Sequence, residues 1–378
     1  MIRVDRIRLT PAEQRDLRAA AAPFAAVADL AALLRHGSVD AEVWAAAAAV
    51  ARQLPPRLVD ALGRLGRHDA DALWIEEEPV RVDLPGSWEG VQRRFAGGLT
   101  SDWLALAYAF VLGARRSADL GVDQVGLEWQ LGSDGLHRDT LTADDAARGP
   151  WRPRYAPCTF SSLKALRTGS NPRIRTCLAH RRELFDGRLR EHLATLRSPI
   201  FRCRALQRDN PLPPGMEAFA VAVPHPDGGD DVGSACAESS LFMHPRLRAA
   251  AIDCPERARP AIDAFCRART ELEAFACGFE LHRGARVIIH QGDVLHGRLG
   301  GIRPKTDDDW ARERWLSRCN WRPTDAAAQA PAPSTAPAAE VVRRLAEAHP
   351  AAKRAWLRDA QGRAATDHVA AVLSLWEW

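Results

Sequence analysis

Residues 283–322 read RGARVIIHQGDVLHGRLGGIRPKTDDDWARERWLSRCNWR, and they concentrate the side chains best suited to chemistry. Their last part, RWLSRCNW, alternates so that Arg314, Leu316 and Arg318 share one face of an extended strand. Two arginines on an inward face demand anions, because a buried guanidinium needs a charged partner and its planar fork matches a carboxylate. The earlier part is a β-prone run, ARVIIH, then a Gly-containing turn, then Val294-Leu295-His296-Gly297-Arg298. Paired guanidinium groups on one inward face describe a site that holds an acid.

In its order of parts this stretch resembles the closing strands of the Fe(II)- and 2-oxoglutarate-dependent oxygenases, in their clavaminate synthase-like, arginine β-hydroxylase branch. That pattern runs strand, Gly turn, V-x-H-G-R, variable loop, R-W-L-x-R. The resemblance implies that His296 is the distal iron ligand, that Arg314 grips the distal carboxylate of 2-oxoglutarate and that Arg318 faces the substrate carboxylate. Further upstream it covers Thr176 in RTCLAH, which would assist cosubstrate binding. It implies Fe(II), 2-oxoglutarate and O2 as cofactors, and oxidation of an unactivated C–H bond by hydroxylation, desaturation or cyclisation. The implied substrate is a small molecule, a free or carrier-bound amino acid or a derived intermediate of specialised metabolism.

A 2-His-1-carboxylate site also needs His-x-Asp or His-x-Glu, since residues two apart on a strand project from the same face and take adjacent coordination positions. Two such triplets exist, His137-Arg138-Asp139 and His225-Pro226-Asp227. The second sits in a Pro/Gly turn and follows Thr176, so His137 and Asp139 are the choice that completes the metal set with His296. The family's L-E-W-H-T-E finds Leu127-Glu128-Trp129 here, but Gln130-Leu131-Gly132 follows, and Thr142-Ala143-Asp144 offers a carboxylate without a histidine. Either of those alignments gives the alternative reading: an oxygenase-fold protein with an altered or lost iron site, acting as a binding or scaffold protein or a non-oxidative enzyme.

The elements that must position these residues follow from pattern. Thr10-Pro11-Ala12-Glu13 is a helix start, and Ala/Leu-rich periodic segments follow to about residue 65. ALWIEEEP at 72–79 is a β-prone run, WLALAYAFVLG at 103–113 a helix, and residues 256–277 a second helix. Short β-prone runs at 125–131, 158–166, 219–223, 285–290 and 314–321 alternate with Gly/Pro turns, a spacing that suits a double-sheet jelly roll. The expected fold is α+β, a double-stranded β-helix core with flanking helices and an N-terminal helical layer. Its expected parts are 1–120 packing on the core, the core at 121–323, a Pro/Ala linker at 324–338 and a helical extension at 339–378.

Composition bounds the rest. With 378 residues, 46% of them hydrophobic, the chain buries a large core. The 52 basic and 48 acidic residues are spread evenly, a balance that argues against a nucleic-acid partner. No apolar run approaches the roughly 20 residues needed to span a bilayer, and the charged start lacks a secretory signal, so the expectation is a cytoplasmic protein with no membrane partner. The eight cysteines include no CxxC pair, and free buried thiols are expected. Arg173, Arg175, Arg181 and Arg182 read as a solvated basic face.

Overall fold

The computed structural model describes residues 2–27, 40–80, 103–115, 125–129, 134–137, 140–142, 155–157, 160–169, 173–185, 187, 189–203, 218, 220–224, 229–232, 252–299, 314–323 and 337–347. Two sheets dominate it. The larger contains β1 (Val4–Arg8), β2 (Ala72–Glu76), β3 (Val125–Trp129), β5 (Phe160–Arg167), β8 (Arg286–His290) and β10 (Trp315–Pro323). Its spatial order is β1-β2-β8-β5-β10, and β10 pairs along its outer side with β3 and with the two-residue strand Ala114–Arg115. The smaller has the order β7-β6-β9-β4, from β4 (Asp134–His137), β6 (Arg175–His180), β7 (Cys277–Phe279) and β9 (Val294–Leu299). Only β1 and β2 run parallel; the other pairings among these ten strands are antiparallel.

Alternation along the strands separates an enclosed face from an outer face in each sheet. Leu163, Ala165, Val287, Ile289 and Leu316 of the larger sheet form one apolar cluster with Leu178, Phe279 and Val294 of the smaller, so the two sheets pack face to face. The intervening residues point outward. Phe160, Ile288 and Cys319 join the helices α1 (Pro11–Val27), α2 (Asp40–Ala51), α3 (Pro56–Gly66) and α4 (Trp103–Val111) over the larger sheet. Cys177, Ala179 and Leu295 meet α5 (Arg259–Phe275) over the smaller one.

Local chemistry accounts for the helix positions. Thr10 and Glu13 form a reciprocal cap: the Glu13 carboxylate accepts from Thr10 N at 2.7 Å and Thr10 Oγ1 accepts from Glu13 N at 3.3 Å. Consecutive buried Ala46–Ala49 on α2 let it approach α4 closely. A further helix at 338–347 adds Val341 and Leu345 to the same core, so the C-terminal extension begins by covering the helical layer.

Three expectations need correction. The fold opens on strand β1 rather than on a helix; its charged residues escape a hydrophobicity reading because they are paired across the strand edge, Arg6 with Glu76 at 2.5 Å and Arg3 with Asp71 at 2.9 Å. Among the described residues of the run at 219–223, the strand begins only at Ala222 and extends to Pro224, paired with Asp230–Val232. Burial of the thiols is not uniform: Cys177 and Cys319 are buried but Cys277 is exposed. No helix among the described residues is long and apolar enough to cross a membrane.

Candidate active site

His296 lies on β9, the central strand of the smaller sheet next to β4, and is 5% exposed. Its register partners are Leu178 on β6 and His137 on β4. Directly opposed residues in an antiparallel pair share a face, and Leu178 belongs to the enclosed cluster, so His296 faces the space between the sheets. The backbone register thus sets residue 137 of β4 directly across from His296. Asp139 and the side chains of His137 and Arg318 lie outside the described residues; the Arg318 backbone pairs with Leu163 and Gly126.

One row along, Phe279, Thr176 and Arg298 align across β7, β6 and β9. Thr176 is 1% exposed, and its Oγ1 has no hydrogen-bond partner among the described residues. A buried hydroxyl left unsatisfied costs roughly 1–3 kcal/mol, so this position favours a bound molecule that offers it a partner. Arg298 is also buried, a basic group facing the same interior that the sequence reading quoted but assigned no role. Its signal was the single-residue spacing from His296, which puts both on one face.

Arg314 enters β10 at 1% exposure. It packs against Gly169, which adopts φ +83°; a Cβ there would fall 2.7 Å from Arg314 N. Glycine at this turn therefore permits the backbone approach that seats the arginine. Arg314 also sits near enough to Cys177 to favour its thiolate, though burial prevails and pushes that thiol up to about 11. Arg181, expected on a solvated face, is buried instead.

Outside the sheets, α5 braces the strand carrying His137. Glu273 Oε1 accepts from Leu136 N at 3.0 Å, and buried Arg269 donates to the same oxygen at 3.4 Å. No sequence signal linked residue 273 to residue 136.

A second group, His68, His290 and Asp293, brings potential ligand atoms within 4.8 Å of one another. It stands apart from the His296 row. His290 meets the edge of Phe160, a member of the helical-layer core, and His68 follows α3, so this group lies on the outer face of the larger sheet.

The arrangement of elements has counterparts among solved structures. Asparagine oxygenase in complex with Fe(II), 2S,3S-3-hydroxyasparagine and succinate superposes with a TM-score of 0.56 at 18% identity, over 84% of this chain and 93% of that one. The non-heme iron oxygenase OrfP in complex with Fe, succinate and (3S)-hydroxy-L-Arg gives 0.54 at 17%, over 84% and 94%. The chain has the fold of these non-heme iron oxygenases. OrfP with Fe and L-canavanine gives 0.51, with the same coverage. No family model matches the sequence, and no curated protein matches it. The likeness is therefore one of fold, and it spans nearly the full length of both oxygenases.

Proposed function

We propose that the two sheets are a double-stranded β-helix and that the chain is an Fe(II)- and 2-oxoglutarate-dependent oxygenase acting on an amino acid, free or carrier-bound, or on an amino-acid-derived intermediate. The observation that carries this reading is the register of β4 and β9, with His137 directly opposite His296. Opposed residues of an antiparallel pair sit about 5 Å apart at Cα, a span from which two imidazoles reach one ion.

In this reading His137, Asp139 and His296 hold Fe(II), and the donor set of two imidazoles and a carboxylate suits that ion while leaving adjacent positions open. Bound together, iron, 2-oxoglutarate and O2 supply the oxidising power for C–H cleavage, with succinate and CO2 as products. Arg314 takes the distal carboxylate of 2-oxoglutarate, and the buried hydroxyl of Thr176 donates to the same cosubstrate, which would supply its missing partner. Arg318 takes the substrate carboxylate. The apolar cluster of Leu178, Val294 and Leu316 excludes water and so strengthens these contacts. Residues 121–323 serve as the core, with β1, β2 and the helical layer as an integral outer wall.

The amino-acid class of substrate is supported by the asparagine- and arginine-derived ligands of the two similar oxygenases. Anaerobic addition of Fe(II) and 2-oxoglutarate to the full chain should give a weak visible charge-transfer band. His296→Ala should abolish it, and Thr176→Val should weaken 2-oxoglutarate binding while leaving iron bound. A wild-type protein with neither the band nor substrate-dependent succinate formation would refute the reading.

A further inference from the structure

Three separate elements bring His68, His290 and Asp293 together. His68 ends the turn after α3, His290 closes β8, and Asp293 sits in the turn leading to β9. The His68 and His290 ring centroids are 3.9 Å apart, and His68 Nδ1 lies 3.6 Å from Asp293 Oδ2. That separation is too long for a hydrogen bond. It is close to the edge of a tetrahedron whose metal–ligand bonds are about 2.0–2.2 Å, which is roughly 3.4 Å.

The His290 ring is 4% exposed, and its Nδ1 has no hydrogen-bond partner among the described residues. The ring is held from several sides. A Cβ at Gly292 would fall 2.6 Å from its Cε1, the Phe160 edge packs against it, and its backbone N–H donates to Asp71 O at 3.0 Å.

The other two groups are held by their backbones as well. His68 adopts φ 64°, a left-handed conformation unusual for a residue with a Cβ, and its carbonyl accepts from Arg3 Nη2 at 2.8 Å. The Asp293 carbonyl accepts from Arg181 N at 2.9 Å. Its carboxylate has Arg182 3.8 Å away on the Oδ1 side, opposite in the carboxyl group to the oxygen nearest His68.

We propose that His68, His290 and Asp293 form a second metal site, taking a divalent transition-metal ion of the Zn2+ class, on the outer face of the larger sheet. Two imidazoles favour such an ion over Mg2+ or Ca2+, which prefer all-oxygen shells. His68, with a side chain 57% exposed, leaves one side open to water, giving three protein ligands and a solvent position. The ion ties the end of α3 to the turn that feeds β9, the strand of His296. This role is structural and independent of the oxygenase reading.

The test is Zn2+ binding to the metal-stripped full-length chain, counted by elemental analysis after gel filtration, in wild type, His68→Ala, Asp293→Asn and His296→Ala. His68 is largely exposed, so its replacement leaves the core intact. His68→Ala and Asp293→Asn should each bind one ion fewer per chain than wild type and should lose any Zn2+-dependent rise in melting temperature. His296→Ala should keep both that ion and that rise. Wild-type stoichiometry in both His68→Ala and Asp293→Asn overturns the proposal, as does a wild type that binds no Zn2+. Loss of the Zn2+-dependent rise in His296→Ala, with His68→Ala unaffected, likewise overturns it by assigning the binding to the inner row.

Discussion

Replacing Glu78 by Gln should cost more stability than any single hydrogen bond in this protein. Glu78 and Arg286 are fully buried, and Lys164 nearly so. Arg286 Nε donates to both Glu78 oxygens at 3.0 and 3.1 Å and Nη2 donates to Oε2 at 2.8 Å; Lys164 Nζ lies 2.6 Å from Oε2 and Tyr108 Oη donates to Oε1 at 2.6 Å. One carboxylate therefore balances two buried cations between α4 and the larger sheet. Gln keeps the shape but removes the negative charge that both cations face, a change that costs about 3–5 kcal/mol. Ser162→Ala is the internal control, since it deletes only the bond from Arg286 Nη1 to Ser162 Oγ at 2.6 Å, worth about 1.5–3 kcal/mol for a charged donor. At about 2 °C per kcal/mol for a large chain, Glu78→Gln should melt roughly 6–10 °C below wild type. Urea unfolding followed by tryptophan fluorescence measures both variants. A loss below about 1 kcal/mol for Glu78→Gln, or a larger loss for Ser162→Ala, would show that the cluster is not held by its charge balance.

Further predictions concern the site and its supports. Gly169→Ala should destabilise by more than about 1 kcal/mol, because it combines positive φ with a 2.7 Å approach to the Arg314 backbone; urea denaturation checks this, and an unchanged midpoint would contradict it. Glu273→Ala should weaken Fe(II) binding about 10- to 100-fold by releasing β4, whereas Glu273→Gln, which keeps an oxygen for Leu136 N, should recover most of it. Equal affinities in the two variants would refute the bracing role. In metal-free protein, His290 is held neutral by burial, with a pKa of about 4 against an ordinary value near 6.5. Between those values the unfolded chain binds a proton that the folded chain refuses, so stability falls on acidification from about pH 6.5 to 4, by up to roughly 3 kcal/mol. Above that window the group contributes no pH dependence. The slope should flatten in His290→Gln, and an unchanged slope would count against the assignment.

Local patterns carried a large part of the fold. The Thr10–Glu13 cap, the helices at 103–111 and 259–275 and the strands at 72–76, 286–290 and 315–323 were legible because each depends on periodicity or on residues within a few positions. Strand β1 was not, since its stability comes from pairing with β2, some 65 residues away, and from cross-strand ion pairs. Arg181 and Glu273 were misread or missed for the same reason: their burial and bonding are set by elements distant in sequence.

By itself the sequence determined that His296, Arg298 and Arg314 stand at spacings that put them on defined strand faces, because alternation is a property of one extended segment. Only the tertiary structure decided that β9 lies between β6 and β4, so that His296 meets Leu178 and His137 while Arg298 meets the buried Thr176. It alone gathered His68, His290 and Asp293, which share no local pattern, on the opposite side of the larger sheet. Strand faces follow from covalent geometry, but strand neighbours follow from burying the apolar faces of both sheets against each other, a choice made by the whole chain.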